Sequence, residues 1–162
     1  MSAMLTHMAA FTCTDVTTAR SSLPELQTRA VEHHRPQMIR RRGDADASVL
    51  LAASDLASSF AAFRFEPHVS MGDGEATASL ESLGILGVGA TAEEAVEDLA
   101  VELRRFAQRY FEKAAFYRET HFRGYLPWLL RFAATPEDRQ LDLLYEEPAT
   151  TPVAPASTSV LR

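Results

Sequence analysis

The sequence predicts an α+β fold built from two small domains and a tail. The first third of the chain combines a helical apolar pattern, a basic strand and a Gly-Asp turn. Alternating strand patterns around a Gly-Asp-Gly turn then precede one long amphipathic helix, and a stretch rich in Pro, Thr and Ser closes the chain. We therefore divide the chain into residues 1–62, 63–134 and 135–162.

The first domain is expected to have the element order β-α-β-β-α. Residues 11–13 form a candidate strand. The second and third strands should cover about residues 37–41 and 48–52, joined by a turn at Gly43-Asp44. Ser54 should cap a short helix that ends near residue 61. The helix between the first two strands has apolar residues at steps of four, three and four: Ala19, Leu23, Leu26 and Ala30.

Pro24 interrupts this first helical pattern, because proline inside a helix costs about 3 kcal/mol. Two arrangements accommodate it. Pro24 lies in the first turn of a helix capped by Ser22, with Glu25 completing a capping box. Alternatively, the helix starts at Thr17 and bends at the proline.

The second domain is expected to be a small antiparallel sheet. Residues 63–66 alternate like a strand, and Gly72-Asp73-Gly74 marks a turn. Residues 76–80 alternate again, and residues 85–89 form a short apolar piece that ends in glycine.

One long helix should cover this sheet. Thr91 and Glu94 form a T-x-x-E capping box, and the helical pattern continues to about residue 118, a length of roughly 40 Å. Its apolar residues recur at steps of three and four: Val96, Leu99, Leu103, Phe106, Tyr110, Ala114 and Tyr117.

Gly124 and Pro127 end the helical pattern, and residues 125–132 crowd aromatic and aliphatic side chains together. These side chains either complete the core of the second domain or anchor a partner protein. The acidic residues 139–148 either fold onto a basic partner or form the last helix of the domain. Residues 149–162 are of low complexity and are expected to be disordered.

Charge is distributed unevenly along the chain, whose net charge is −6. Residues 1–43 carry six arginines against three acidic side chains, a net charge of +3, whereas the rest carries ten basic against nineteen acidic groups, a net charge of −9. A basic head on an acidic body suits a protein that contacts phosphates at one end. Three adjacent arginines alone would be equally consistent with a solvated surface.

Composition favours a cytoplasmic protein. The single Cys13 has no internal disulfide partner and no zinc-ligand spacing around it. No apolar run reaches the roughly 18–20 residues of a membrane span, and the N-terminus lacks the pattern of a signal peptide.

Enzymatic activity is not expected, and neither is a metal or cofactor. The five histidines show no ligand spacing such as H-E-x-x-H. Gly87-Val88-Gly89 lacks both the G-x-G-x-x-G spacing and the Lys-Ser/Thr of nucleotide loops.

Residues 14–56 resemble the Phd/YefM family of bacterial antitoxins, which are small dimeric DNA-binding repressors. The matching residues are Ala19, Arg20, Leu23, Ala30, Val31, Glu32, His34, Pro36, Ile39, Arg41, Gly43, Val49 and Leu50. The resemblance implies a homodimer that binds operator DNA through its first helix and the basic strand. These positions fall on Arg20 and Arg41, with Arg40 and Arg42 beside them. At the helix start, the hydroxyls of Thr17, Thr18, Ser21 and Ser22 could donate to phosphate oxygens.

The second domain is similar to the HicB-type antitoxin domain, through Gly87, Gly89, Thr91, Glu94 and Ala95. Together the resemblances imply an antitoxin of a type II toxin–antitoxin system that represses its own operon and neutralises a cognate toxin. Ordinary Phd/YefM proteins are about half this length with a flexible toxin-binding tail, so the type of toxin cannot be transferred. The residues assigned to toxin binding are Tyr125, Trp128, Leu129, Phe132, Leu141, Leu143, Leu144 and Tyr145. A protein-binding module without DNA activity, or a small hydrolase, remains the alternative.

Overall fold

The α+β class is confirmed by a computed structural model, which describes residues 13–43 and 45–146. The chain forms two compact units: unit 1 comprises residues 1–63 and 115–136, and unit 2 comprises residues 64–114 and 137–162. The chain therefore passes between the units at residues 63–64, 114–115 and 136–137. This division differs from the contiguous domains predicted, because residues 115–134 group with the first unit.

Six strands and six α-helices are present in the described residues. The strands are β1 (Cys13–Asp15), β2 (Gln37–Arg40), β3 (Ser48–Leu50), β4 (His68–Gly72), β5 (Glu75–Leu80) and β6 (Ile85–Gly89). The helices are α1 (Val16–Ser21), α2 (Leu23–Val31), α3 (Ala53–Ser59), α4 (Ala92–Glu112), α5 (Ala114–Arg118) and α6 (Leu126–Ala134). Short 3-10 helices span His121–Tyr125, Glu137–Arg139 and Leu141–Leu144.

Unit 1 contains a three-stranded sheet in the order β1-β2-β3. β1 runs parallel to β2, with Asp15 opposite Arg40, and β2 runs antiparallel to β3. The two predicted strands around Gly43 are confirmed, although each is shorter than predicted. The candidate first strand begins outside the described residues, and Cys13 is the first residue of β1.

The first predicted helix is two helices that meet at Ser22, where the backbone leaves the helical region. Pro24 lies in the first turn of α2, where its missing N–H would be unpaired anyway. The proposed Ser22 capping box does not form, because the Ser22 hydroxyl donates back to the Thr18 carbonyl at 2.8 Å. Ala19, Leu26 and Ala30 are buried as predicted, whereas Leu23 is 44% exposed.

The helix α3 packs against α6 within unit 1. α3 begins at Ala53 and has no side-chain cap, so the prediction that Ser54 caps it is wrong. Ser54 lies inside the first turn instead, two residues after the N-cap position, which Ala52 occupies. Phe63 contacts Trp128 edge-to-face, with 4.9 Å between the ring centroids, and so adds an aromatic contact to the unit.

Unit 2 contains an antiparallel sheet in the order β4-β5-β6. The predicted strand over residues 63–66 is wrong, because the first strand of this sheet is β4. The hairpin turn fixes that position: Asp73 and Gly74 both have positive φ, 51° and 82°, as a two-residue type I′ turn requires. β4 therefore ends at Gly72, directly before the turn.

The helix α4 covers one face of this sheet. Ala76, Ala78 and Leu80 of β5 are buried on that face, and the apolar residues Val96, Leu99, Leu103 and Tyr110 of α4 are buried as predicted. Phe106 is half-buried. The predicted helix to residue 118 is interrupted at Lys113, whose backbone (φ −116°, ψ 32°) is not helical.

Two glycines of β6 allow α4 to lie directly on the strand. A Cβ atom on Gly87 would be 2.2 Å from the Leu99 backbone nitrogen and 2.4 Å from the Ala95 carbonyl oxygen. A Cβ atom on Gly89 would be 2.5 Å from the Cβ of Glu94. The G-x-G spacing thus serves helix–strand packing.

The start of α4 is capped as predicted. The Thr91 hydroxyl oxygen accepts from the Glu94 backbone N–H at 3.2 Å. The Glu94 carboxylate reaches back to accept from the Ala90 N–H at 2.8 Å, one residue before the usual partner in a capping box.

Candidate functional site

The arginine run lies at one end of the unit 1 sheet. β2 ends at Arg40, and Arg41 and Arg42 follow it in the connection to β3. Because β1 is parallel to β2 and Asp15 is opposite Arg40, the start of α1 lies at this same end of the sheet. The fold therefore brings together two groups that the sequence separates by about 25 residues.

Two shallow depressions at this end share Arg41 and Gly43 in their walls. One has a volume of about 800 Å³ and also contains Val16 and Ile39. The other, of about 250 Å³, contains Cys13, Thr14, Asp15, Arg40 and Arg42. Both depressions are open, as suits a surface that lies against a large ligand.

The arginines at this site are available for contacts with an anion. The side chains of Arg20, Arg40, Arg41 and Arg42 are exposed, and none of the four guanidinium groups forms an ion pair or hydrogen bond with another described residue. A guanidinium group can clamp a phosphate or contact guanine in two places. Asp15 and Asp46 are the carboxylates that line the same depressions.

The predicted hydroxyl donors of α1 are partly engaged within the helix. Ser21 and Ser22 both donate to the Thr18 carbonyl, at 2.9 and 2.8 Å. The Thr17 backbone N–H donates to the Asp15 carboxylate at 2.8 Å, so that group is already satisfied. Thr17, Thr18 and Ser21 remain exposed, and Ser22 is half-buried.

The residues assigned to toxin binding around α6 divide by burial. Leu129 and Phe132 are 0% and 1% exposed, so they are core residues in this conformation. Tyr125 and Trp128 are half-buried. Arg131 is buried beside them and donates to the Phe63 carbonyl at 3.1 Å, a long-range bond within unit 1.

The acidic segment after residue 136 forms short 3-10 helices that pack on α4 in unit 2. Leu143 and Leu144 are buried, and Leu141 is half-buried. Gln140 is buried too and accepts from the Arg104 guanidinium at 3.0 Å. Of the two predicted arrangements, the segment thus adopts the one that belongs to the domain.

Tyr145 is 54% exposed and borders an apolar pocket of about 340 Å³. The pocket is also lined by Val69, Ala92, Glu93 and Val96, and we call these five residues the Tyr145 patch. Partial burial and the nearby carboxylates of Glu93 and Glu97 raise the pKa of Tyr145 above its ordinary value.

Of the five residues of the Tyr145 patch, only Tyr145 was predicted from the sequence to bind a partner. Val69 was missed because the strand was placed at residues 63–66, although its alternation with Met71 before the Gly-Asp-Gly turn is a strand pattern. Glu93 was missed because an acidic residue in the first turn of a capped helix needs no further explanation.

The described ranges 13–43 and 45–146 contain neither a candidate metal site nor a candidate membrane-spanning helix. No group of three or more His, Cys, Asp or Glu residues there could hold a metal ion. No helix within these ranges is both long and apolar enough to cross a membrane.

Comparison with known proteins places the chain among antitoxins. No curated protein matches the sequence. A solved structure of an antitoxin from Syntrophomonas wolfei subsp. wolfei has a similar fold, with a TM-score of 0.68 and 16% sequence identity, over 85% of this chain and 99% of the other. A family described as the antitoxin of toxin–antitoxin systems, RelE/RelB, matches residues 8–145. Because that match covers most of the sequence, the chain belongs to this family of RelE/RelB-type toxin–antitoxin antitoxins.

Proposed function

We propose that this antitoxin belongs to a type II system and has two activities. A Phd/YefM-like head in unit 1 binds operator DNA as a symmetric dimer and represses the antitoxin's own operon. A HicB-like body in unit 2 binds and neutralises a toxin encoded by the adjacent gene. The observation that supports the DNA-binding half most directly is the position of Arg40–Arg42 beside the start of α1.

Charge supports a division of these activities between the units. Unit 1 has nine basic and seven acidic side chains, a net charge of +2, although the protein as a whole is acidic. Its arginine run is exposed at one end of a rigid sheet. Phosphate neutralisation by such groups supplies most of the affinity for DNA, and base contacts supply selectivity.

Dimerisation follows from the size of the proposed interface. One head presents a run of three arginines and one short helix, which can contact only a few base pairs. Two heads related by a two-fold axis would read a palindrome, with half-sites separated by about one helical turn of DNA. The proposed contact residues are those named from the family resemblance, with Arg20 and Arg41 as the principal ones.

The test is binding of the full chain to the DNA upstream of its own gene, measured by fluorescence anisotropy at two salt concentrations. Arg41→Ala should weaken binding about tenfold or more per head, since one bidentate guanine contact is worth roughly 1–3 kcal/mol. Arg29→Ala is the matched control: Arg29 is also exposed, but α2 leads into the opposite end of β2.

Three outcomes are informative. Selective, salt-sensitive binding that is lost in Arg41→Ala but retained in Arg29→Ala supports the proposed head. Equal losses in both variants would indicate a general effect of charge and contradict the placement. Equal affinity of the wild type for the operator and a scrambled duplex would favour a protein-binding module without DNA activity.

Neutralisation of the toxin would be steric and electrostatic. Unit 2 has seven basic and fifteen acidic side chains, a net charge of −8, which complements a basic, RNA-handling surface. Among the residues assigned to toxin binding, Tyr145 of unit 2 is exposed and Leu141 of unit 2 is partly accessible, whereas the partly accessible Tyr125 and Trp128 belong to unit 1. The buried leucines and Phe132 hold these residues in place.

Co-expression tests this half of the proposal. The wild-type chain should restore growth to cells that express the toxin from the adjacent gene, and the purified proteins should form a complex. Tyr145→Ala should weaken the complex more than Tyr145→Phe, which retains the ring. Failure of the wild type to bind the toxin would refute the neutralising role.

A further inference from the structure

The two outer edges of the unit 2 sheet differ in how their backbone groups are satisfied. At β6, the N–H groups of Val88 and Ala90 donate to the carboxylates of Asp98 and Glu94 on α4, at 3.0 and 2.8 Å. At β4, all five residues are exposed, and no other described strand pairs with the outer side. An unpaired strand edge is a template for another strand.

The hairpin turn determines which groups β4 directs outward. A two-residue turn makes Gly72 and Glu75 a hydrogen-bonded pair, and such pairs alternate along an antiparallel ladder. The N–H and C=O groups of Val69 and Met71 therefore point away from β5. The same alternation directs the Val88 N–H outward on β6, where Asp98 accepts it.

The side chains beside this edge form an apolar surface with an acidic rim. Val69 is opposite Ala78 and Met71 is opposite Ala76, so both lie on the face that α4 covers. Met71 is 65% exposed, and Val69 lines the pocket of the Tyr145 patch. A strand added at β4 would direct every second side chain toward this pocket.

We propose that the outer edge of β4 receives an extended basic segment of the toxin as a fourth strand. Its alternate side chains fill the pocket of the Tyr145 patch and reach Glu93 and Glu97. This inference rests on the proposed neutralising function and specifies its binding mode. In strand addition, main-chain hydrogen bonds supply affinity and the pockets for alternate side chains supply specificity.

Charge complementarity identifies the occupant as a basic segment. Glu93 and Glu97 both act on Tyr145, whose ring borders the pocket. The unit that carries the edge has a net charge of −8. An acidic unit disfavours a second copy of itself along this edge and attracts a cationic partner.

The first test removes the outward N–H of Met71. Met71→Pro deletes that donor while sparing the ladder to β5, and proline is tolerated on edge strands. The dissociation constant for the purified toxin from the adjacent gene should rise at least tenfold. Met71→Ala loses the same side chain but keeps the N–H, so Met71→Pro should raise the dissociation constant at least threefold more than Met71→Ala does. Hydrogen exchange in β5 should remain protected in both variants.

The second test reverses the acidic rim and does not depend on tolerance of proline. Glu93→Lys combined with Glu97→Lys should weaken toxin binding, most strongly at low salt. Glu112→Lys is the matched control, because Glu112 is also exposed on α4 but lies at its far end. Its effect on the dissociation constant should be small.

The outcomes separate this inference from the proposed function. A wild-type chain that does not bind the toxin overturns both. Toxin binding that is unchanged by Met71→Pro and by the double reversal overturns the strand addition and leaves neutralisation standing. A change of oligomeric state in Met71→Pro with unchanged toxin affinity assigns the edge to a second copy, which also overturns the inference. If toxin binding is lost only when residues 147–162 are removed, the tail is the binding segment, and this outcome also overturns the inference.

Discussion

Gly87 lies where α4 crosses β6, and its replacement by alanine tests how closely the helix rests on the strand. The added Cβ would be 2.2, 2.4 and 2.6 Å from three backbone atoms of α4. Real Cβ atoms essentially never come that close to other heavy atoms. Because no flexible side chain is in the way, the clash cannot be relieved by a rotamer change, and α4 has to withdraw by about an ångström.

The cost follows from this displacement. Overpacking of a well-packed contact typically costs about 1–3 kcal/mol. Withdrawal of α4 also stretches the bond from the Val88 N–H to Asp98, which contributes about 0.5–1.5 kcal/mol. The lower entropy of the unfolded alanine chain offsets about 0.4–1 kcal/mol. We therefore expect Gly87→Ala to lower the free energy of unfolding by about 2–3 kcal/mol, a large share of the usual 5–15 kcal/mol.

Urea denaturation followed by far-UV circular dichroism measures this change, and hydrogen exchange locates it in β6 and α4. Gly124→Ala is the control, since a Cβ there meets no heavy atom within 4 Å and the backbone has no positive φ. Its free energy of unfolding should rise by about 0.4–1 kcal/mol, because only the entropy of the unfolded chain changes there. If the two variants unfold with the same free energy, the close contact between α4 and β6 is refuted.

Three further predictions concern single side chains. Thr91→Ala should lower the free energy of unfolding by about 1 kcal/mol because it removes the cap of α4, and Thr91→Ser should restore most of it in the same denaturation assay. Arg131→Met should lower the free energy of unfolding by about 1.5–3 kcal/mol in thermal or urea denaturation, because the half-buried Phe63 carbonyl loses a charged donor. Wild-type stability in this variant would show that the bond is dispensable. The pKa of Tyr145 lies above 10.0, so an ultraviolet difference titration of wild type against Tyr145→Phe should show late ionisation that Glu97→Gln brings earlier. Since the tyrosine of the unfolded chain ionises first, this group makes the free energy of unfolding fall as the pH rises above 10.0. Burial is the largest cause of the raised pKa, so an unchanged titration in Glu97→Gln would contradict the contribution of Glu97.

Elements with a strong local pattern could be predicted from the sequence. The buried face of α4 follows a helical period over fifteen residues, from Val96 to Tyr110, and its start is marked by Thr91 and Glu94. The β3 and β5 strands and the turn at Asp73-Gly74 follow alternation and turn chemistry. In each case the residues that decide the structure lie within one window of sequence.

Features that depend on distant contacts were beyond such reasoning. Residues 63–66 alternate like a strand, yet the type I′ turn places the first strand of the sheet after Pro67. The apolar cluster around α6 could cover a core or a partner, and only its packing on α3 assigns Leu129 and Phe132 to unit 1. No local sequence pattern predicts against which of two cores a helix will pack.

The candidate DNA site was predictable in its residues but not in its geometry. The arginine run and the family resemblance named Arg20 and Arg41 from sequence alone. The placement of Arg40–Arg42 beside the start of α1 depends on the parallel pairing of β1 with β2, which joins residues 25 apart. The open edge of β4 could not be predicted either, because it depends on strand order and on carboxylates of α4 that close the other edge.

The three passages of the chain between the units have a consequence for synthesis on the ribosome. α3 emerges early, but its partner α6 follows only after all of α4 has been made. Nascent unit 1 must therefore wait, with the apolar surface of α3 uncovered, until residue 136 has left the exit tunnel. A chain that ended at residue 63 would lack the buried Leu129 and Phe132 of unit 1. Because each unit consists of two separate segments of the chain, no single cleavage releases either unit intact.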